Sequence, residues 1–428
     1  MHHYLFLVIT ITNPITEMGW CFRVISLLLL LLGAESKTHW SDTQFLKDFK
    51  NGIHPSSVNP GSCLSSWDFT LDPCDNLFTQ KFTCGFRCDS IDSGLSRVTE
   101  LALDQASYSG PLPPTWNLLP YLQTLDLSNN FFYGNIPGSL SNLTRLRRLA
   151  LSANSFSGAI PSSIGSLSTL EELCLDHNNL TGAIPATFNG LKNLKRLELQ
   201  SNKLQGWVPP YLGPLNNLNY LDASDNSLIG ELPIWLPASL VQISMRNNKL
   251  SGVLKPEVLK NLKDLQVLDL SWNKLSGAVP FALFELPSLQ QLTLSFNEFS
   301  SVEGNSAGFE KSGLIAVDIS NNKLRGSLPW FMAWMPQLSA LSLENNMLSG
   351  MIPKEYAMKV VSPRNGESSF GRLLLGGNYL YGGIPHPLLG LKPDSANVSL
   401  ANNCFYRCPR TFFFCQGAAQ KPPPLCHK

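Results

Sequence analysis

LQTLDLSNNFFYGNIP, residues Leu122 to Pro137, decides the fold, because its leucines, asparagine, glycine and closing Ile-Pro return about every 24 residues along the chain. The asparagine of the pattern falls at Asn130, Asn154, Asn178, Asn202, Asn226, Asn248, Asn273, Asn297, Asn322, Asn346, Asn378 and Asn403. A fixed period of about 20 to 29 residues with this leucine spacing is typical of stacked repeats, each burying its apolar face only against its neighbours. We therefore predict one elongated body rather than several globular domains.

Each repeat contains a short strand. In Leu125-Asp126-Leu127 the leucines alternate with an acidic residue, and this period of two predicts a strand with leucines facing inward. Successive strands then pair in parallel about 4.8 Å apart. The fold class is thus an α/β repeat solenoid, a curved array with parallel inner strands. The asparagine after each strand can bond backbone groups that the turn leaves unpaired, so we assign it a structural role.

Cysteines flank the repeats in two groups of four. They are Cys63, Cys74, Cys84 and Cys88 before the repeats, and Cys404, Cys408, Cys415 and Cys426 after them. Both groups predict disulfide-bonded caps formed in an oxidising compartment, and zinc sites are the alternative. Four cysteines allow three pairings in each cap, and the spacing does not choose among them. Cys174 has no obvious partner.

The N-terminus carries a predicted secretory signal at residues 1–36, with a basic Arg23, an apolar run from Leu27 to Leu32 and small residues before Lys37. Met18 is an alternative start. We expect an N-terminal cap at 37–96, a solenoid of about 12 repeats at 97–403 and a C-terminal cap at 404–428. The residues after 403 contain no apolar run of about 18 residues, so we predict no membrane span after signal cleavage.

One segment before the repeats and two within them do not follow the repeat pattern. Residues 42–50 have apolar spacing typical of a helix, which we expect Asp42 to cap. Residues 300–313 replace the usual glycine and Ile-Pro, and residues 354–371 are an insertion. Insertions in solenoids map to loops, which are either binding elements or tolerated surface loops.

Leu180–Asn202, LTGAIPATFNGLKNLKRLELQSN, resembles the plant extracellular subtype of leucine-rich repeat, and the resemblance covers about residues 97 to 405. That family includes receptor-like kinases, receptor-like proteins without a kinase, and secreted polygalacturonase-inhibiting proteins. The resemblance implies a secreted or apoplastic protein that recognises a protein or peptide ligand, or a membrane receptor kinase ectodomain, in signalling or defence. An inhibitor of cell-wall-degrading enzymes and a structural wall protein are the alternatives.

We predict neither catalysis nor a cofactor or metal. Gly304–Gly308 matches G-x-S-x-G, but a nucleophile elbow requires a strand, a helix and a nearby acid and histidine, which this polar segment does not offer. The net charge is +1, and no run of like charge gives the footprint of a nucleic-acid partner.

Binding residues are expected on the outward positions of the inner strands. The position before the first strand leucine reads Thr124, Arg148, Glu172, Arg196, Tyr220, Gln242, Val267, Gln291, Ala316 and Ala340. Arginine, glutamate and arginine on neighbouring strands lie close enough to pair with one another. The candidate ligand-binding residues are Arg148, Glu172, His177, Arg196, Tyr220, Arg246, Trp272 and Phe296. Trp272 and Phe296 precede consecutive repeat asparagines, and exposed aromatics near an arginine are typical of interface hot spots.

Three sequons predict N-glycosylation, at Asn142, Asn179 and Asn397. Each lies outside the leucine positions, which is compatible with a surface location. Glycans there would mark faces that are closed to docking.

Overall fold

The computed structural model describes residues 37–92, 94–304, 308–364 and 366–426. The predicted signal peptide at 1–36 lies outside these residues. The central feature is a sheet of 14 strands in which the first pair is antiparallel and all later neighbours are parallel. Its strands are, in order, Phe86–Asp92, Leu95–Ala102, Thr124–Asp126, Arg148–Ala150, Glu172–Cys174, Arg196–Glu198, Tyr220–Asp222, Gln242–Ser244, Val267–Asp269, Gln291–Thr293, Ala316–Asp318, Ala340–Ser342, Arg372–Leu374 and Asn397–Ser399. The predicted repeat solenoid with parallel inner strands is confirmed.

A second strand follows most repeat asparagines, and these outer strands form three smaller parallel sheets. They are Ser109–Pro111, Phe131–Asn135, Ser155–Ala159 and Asn179–Thr181; then Gln205–Trp207, Ser227–Gly230, Lys249–Val253, Lys274–Val279 and Glu298–Val302; then Arg325–Gly326, Met347–Gly350, Tyr379–Gly382 and Cys404–Phe405. The leucines of both strand sets are buried between them and form one continuous core.

Helical segments are short, and they lie between the strands of the repeats and in the two caps. The α-helices are Trp40–Asn51, Cys63–Ser66, Pro256–Leu259, Lys354–Val361, His386–Leu389 and Pro423–Cys426. The 3-10 turns are Pro55–Ser57, Trp116–Leu118, Gly138–Asn142, Ser162–Ser166, Ala186–Gly190, Phe281–Leu283, Phe309–Lys311, Trp330–Trp334 and Phe413–Cys415. Among the residues the structure describes, no helix is long and apolar enough to cross a membrane.

The repeat asparagines join neighbouring repeats. The Asn154 amide donates to the carbonyls of Leu127 at 3.0 Å and Leu151 at 3.2 Å, and its Oδ1 accepts from the Phe132 amide at 2.9 Å. One side chain thus satisfies backbone groups of two successive repeats that water does not reach. The structural role predicted for these asparagines is confirmed.

Each end of the solenoid is closed by two disulfides. Cys63 pairs with Cys84 and Cys74 with Cys88 at the N-terminal end, and Cys404 pairs with Cys426 and Cys408 with Cys415 at the C-terminal end. Because these sulfurs are bonded to each other, they are not thiolate ligands for zinc. The disulfide-bonded caps are confirmed.

Two local predictions are wrong. The N-cap of helix Trp40–Asn51 is His39, whose side chain accepts a hydrogen bond from the Ser41 amide. Asp42 is fully buried in the first turn and pairs with Arg97 at 2.7 Å, so its carboxylate serves the cap core rather than the helix end. The insertion at 354–371 begins with helix Lys354–Val361, whose Tyr356 and Lys359 are buried, so this part is not a surface loop.

Candidate functional site

All eight candidate binding residues lie on the concave face, either in the strands of the 14-stranded sheet or just after them. Arg148, Glu172, Arg196 and Tyr220 begin their strands, whereas His177, Arg246, Trp272 and Phe296 follow theirs. Within a strand, Leu197 is buried while Arg196 and Glu198 on either side are half-buried and face outward. The alternation of the strand therefore builds the surface.

The N-terminal half of this face is charged and largely self-paired. Arg148 forms an ion pair with Glu172 on the next strand and contacts Asp126 on the preceding strand at 3.2 Å. Glu171 accepts from both Lys195 at 2.6 Å and Arg147 at 2.7 Å, and these bonds, the one from Lys195 foremost, lower the pKa of Glu171. The predicted pairing between neighbouring strands is confirmed for these residues.

Arg196 departs from that prediction. Its Nε lies 2.8 Å from Glu198 Oε1 on the same strand, and its guanidinium stacks 3.8 Å from the centre of the Tyr220 ring. The expected pairing of Arg196 with Glu172 is therefore wrong, because Glu172 pairs with Arg148 and Arg196 pairs with Glu198 two residues further along its own strand. A ligand on this half would have to displace existing ion pairs.

His177 lies apart from these pairs, at the edge of the face. Its Nδ1 is 2.8 Å from Asp176 Oδ2, and Asp176 also accepts the Ser152 hydroxyl. The ring itself is exposed.

Every residue that precedes a repeat asparagine from Asn129 to Asn345 has a positive φ, between 50° and 57°. Asparagine, aspartate and histidine tolerate this left-handed conformation, whereas for bulky residues it is an outlier. Trp272 and Phe296 nevertheless occupy it, with φ values of 56° and 55°. The geometry of the repeat therefore imposes on both aromatic residues a backbone conformation that bulky side chains rarely adopt.

Trp272 and Phe296 stack on each other, with 3.8 Å between ring centroids and 12° between ring planes. They remain 48% and 38% exposed. On both sides the same edge is polar, since Asn247 bonds Asp225 at 2.7 Å and Asn345 bonds Asn321 at 3.1 Å. The two rings thus form an aromatic ledge, Trp272 with Phe296, in an otherwise polar edge.

Beside the aromatic ledge lies a depression of about 370 Å³. Small side chains such as Thr293, Ala316 and Ser342 line its floor, and Arg246 and Arg372 also line it. Within the described residues, neither guanidinium forms an ion pair, unlike those of Arg147, Arg148 and Arg196. We call this surface, from Arg246 to Arg372, the concave groove.

Two carboxylates stand in the middle of the concave groove. Asp269 and Asp318 lie on either side of Thr293 in one parallel register. Oδ1 of Asp269 accepts from the amide and hydroxyl of Ser271, and Oδ1 of Asp318 accepts from the amide of Ser320. Neither aspartate forms a salt bridge with a described residue, so both remain available to a cationic group.

Arg372, Asp269 and Asp318 were not among the binding residues expected from the sequence. The column that begins at Thr124 continues beyond Ala340 to Arg372 and Asn397, as the strand register shows. The insertion at 354–371 lengthens this step to 32 residues, from Asn346 to Asn378. Following the column across that longer step would have found Arg372.

A larger cavity, of about 710 Å³, opens at the C-terminal cap among Leu389, Tyr406, Pro409 and Phe412. Its lining is mainly apolar, and Arg407 is the charged side chain there. It offers less directional chemistry than the concave groove.

The sequence and the structure offer two alternative sites. The one cluster of possible metal ligands among the described residues is Cys63, Cys84 and Asp104, and its two sulfurs form a disulfide. Ser306 of the G-x-S-x-G match lies outside the described residues.

The sequence of the array matches a family model described as a leucine-rich repeat region over residues 95–350. The chain belongs to the leucine-rich repeat family. Among curated proteins, Receptor like protein 23 of Arabidopsis thaliana is 33% identical over 72 residues, which are 17% of this chain and 8% of that protein.

Among solved structures, plant leucine-rich repeat receptors are similar. The plant peptide hormone receptor RGFR1, in complex with RGF2, has a TM-score of 0.63 at 30% identity, covering 72% of this chain and 48% of that chain. The ectodomain of the Arabidopsis receptor kinase HAESA, in complex with an IDA peptide hormone, has a TM-score of 0.62 at 28% identity, covering 85% and 61%. This leucine-rich repeat chain therefore spans less than two thirds of each of these relatives.

Proposed function

We propose that this leucine-rich repeat protein is an extracellular, apoplastic receptor-like protein that binds an extended peptide, or an extended segment of a protein, in the concave groove. The observation that carries the proposal is that Arg246 and Arg372 lack ion-pair partners among the described residues, whereas arginines of the other half are paired. An unpaired guanidinium in a shallow groove favours a carboxylate, because it can donate two parallel hydrogen bonds.

The spacing of the two arginines sets the length of the ligand segment that lies between them. Arg246 follows strand Gln242–Ser244 and Arg372 begins strand Arg372–Leu374. These two strands are five steps apart in the sheet, so the two arginines are separated across the strands by about 24 Å at about 4.8 Å per strand. An extended peptide rises about 3.3 Å per residue, so about seven residues span the two arginines.

The middle of the concave groove favours the opposite charge. Asp269 and Asp318 are two strands apart, between the arginines. We infer a ligand with acidic groups near both ends and a basic side chain between them. The aromatic ledge of Trp272 and Phe296 would contact an apolar or aromatic side chain at one edge, as aromatic residues do at interface hot spots.

The relatives support a ligand of this class. RGFR1 and HAESA were solved with the peptide hormones RGF2 and IDA. By extension, we propose a role in signalling or defence, with a membrane receptor kinase ectodomain as a further partner.

The test is to select peptides from a displayed library of random extended peptides on the full-length protein. We expect the selected peptides to carry an acidic, basic, acidic order and to bind more weakly at high salt, which screens exposed charges. Arg246→Ala and Arg372→Ala should each weaken binding about tenfold or more, as loss of a charged hydrogen bond does. Arg147→Ala, which removes a paired arginine from the other half, is the matched control. Equal binding to all three variants would overturn the proposal.

The same variants and the same library distinguish the two alternative functions. A polygalacturonase-inhibitor-like protein would inhibit a wall-degrading enzyme through the charged N-terminal half. In that case Arg147→Ala, and not Arg372→Ala, would reduce the inhibition. A structural wall protein would select no peptide.

A further inference from the structure

The three sequons lie on three different surfaces of the solenoid. Asn142 ends the 3-10 turn Gly138–Asn142 on the outer side, and Asn179 begins the outer strand Asn179–Thr181. Asn397 begins Asn397–Ser399, the last strand of the 14-stranded sheet. Only the third sequon therefore belongs to the concave face.

Asn397 is the direct neighbour of Arg372. The two residues are register partners in adjacent parallel strands, and the next pair, Leu373 and Val398, is buried. Because side chains alternate along a strand, Asn397 and Arg372 both point to the concave side, about 4.8 Å apart between strands. Both are exposed, and the side chain of Asn397 makes no hydrogen bond with a described residue.

The sequon is geometrically complete on this face. Ser399, the hydroxyl residue of the sequon, lies two positions after Asn397 and thus on the same side of the strand. Beyond this strand the C-terminal cap begins, as the bond from the Leu400 amide to the Phe414 carbonyl shows. A modification at Asn397 would therefore stand between the concave groove and the cap.

We propose that Asn397 carries an N-linked glycan that closes the C-terminal end of the concave groove beside Arg372. In the transfer, Asn397 Nδ2 loses a proton and bonds C1 of the first N-acetylglucosamine of a lipid-linked oligosaccharide. The bond from that C1 to the pyrophosphate oxygen breaks, and the lipid pyrophosphate leaves with the electron pair. This inference rests on the proposed extracellular location, since the donor belongs to the secretory pathway.

A glycan at this position would determine which end of the concave groove the ligand can extend beyond. A glycan at Asn397 blocks passage beyond Arg372 and leaves the approach from Arg246 open. The carboxylate bound by Arg372 therefore lies at or near the end of the ligand, whereas the ligand can extend past Arg246.

The test uses the full chain secreted from a eukaryotic host, with site occupancy measured by peptide mass spectrometry. Asn397→Gln and Ser399→Ala each remove the sequon, and Asn142→Gln removes a glycan site on the outer side as the matched control. Phenylglyoxal then probes the exposed arginines, and the rate at Arg372 is compared with that at Arg246 in the same sample.

We expect Asn397 to be occupied, and Arg372 to react several-fold faster in Asn397→Gln and Ser399→Ala than in the wild type and Asn142→Gln. Arg246 should react at the same rate in the wild type and in all three variants. Occupied Asn142 with unoccupied Asn397, or an unchanged rate at Arg372, would overturn the inference while leaving the proposed binding function intact. A chain that is not secreted would overturn the proposed location, and the glycan with it.

Discussion

The indole of Trp272 and the phenyl ring of Phe296 stack with their centroids 3.8 Å apart just after two adjacent strands, both from left-handed backbone positions. Since each ring remains over a third exposed, the pair lies outside the core. We expect Trp272→Ala with Phe296→Ala to lower the free energy of unfolding by about 0.5 to 1.5 kcal/mol for the lost stacking, with a further contribution from the part of each ring that is buried. Peptide affinity should fall about tenfold or more, as at interface hot spots.

Thermal unfolding and titration with a selected peptide measure the two effects separately. Trp207→Ala is the matched control, because Trp207 is a 63% exposed tryptophan on an outer strand, away from the concave face. Unchanged affinity in the double variant would remove the aromatic ledge from the site.

Leu268 and Val267 are neighbours on one strand, but Leu268 faces the core and Val267 faces the concave side. Leu268 is 2% exposed and points into the core, whereas Val267 beside it is half-buried on the concave side. Leu268→Ala should cost about 2 to 5 kcal/mol through lost burial and a residual cavity. Val267→Ala should cost about 0.5 kcal/mol or less, as surface changes do. Chemical denaturation checks both, and equal costs would contradict this assignment of faces.

The repeat spacing was sufficient to predict the inner strands and the asparagine bonds, and the two groups of cysteines were sufficient to predict disulfides at both ends. These features follow from local rules, because each repeat contacts mainly its neighbours. The partners of Arg196 and Asp42 could not be read in the same way. Arg196 pairs with Glu198 rather than with Glu172, and Asp42 pairs with Arg97, which is 55 residues away. Such choices depend on three-dimensional distances that a periodic pattern does not contain.

The buried pair of Asp42 and Arg97 supports the N-terminal cap. Asp42 is fully buried, and it also accepts the Val98 amide at 2.7 Å. Arg97→Met leaves a buried carboxylate without its cation and should cost about 3 to 5 kcal/mol. Arg147→Met breaks an exposed pair and should cost about 1 kcal/mol or less. Urea unfolding of both variants measures the difference, and a similar small cost for each would mean that the cap does not depend on the pair.

Cys174 is the free cysteine among the described residues, and it lies on the concave sheet between Ala150 and Glu198. Burial first, and then the charge of Glu198, raise the pKa of its thiol above the ordinary value of 9.0. The thiol is therefore protonated at neutral pH, and iodoacetamide should modify it far more slowly in the folded protein than in urea. Mass spectrometry of Cys174 measures both rates.

The raised pKa of Cys174 also fixes the sign of a pH effect. Above about pH 9 the unfolded chain loses this proton while the folded chain keeps it, so the free energy of unfolding falls as pH rises. On the preceding strand this register position is already an alanine, Ala150, so Cys174→Ala should be accommodated. The substitution should remove the part of the stability loss at high pH that comes from the thiol. Denaturation of both proteins from pH 7 to pH 10 measures the effect. Parallel curves for the two proteins would show that the Cys174 thiol titrates alike in both states.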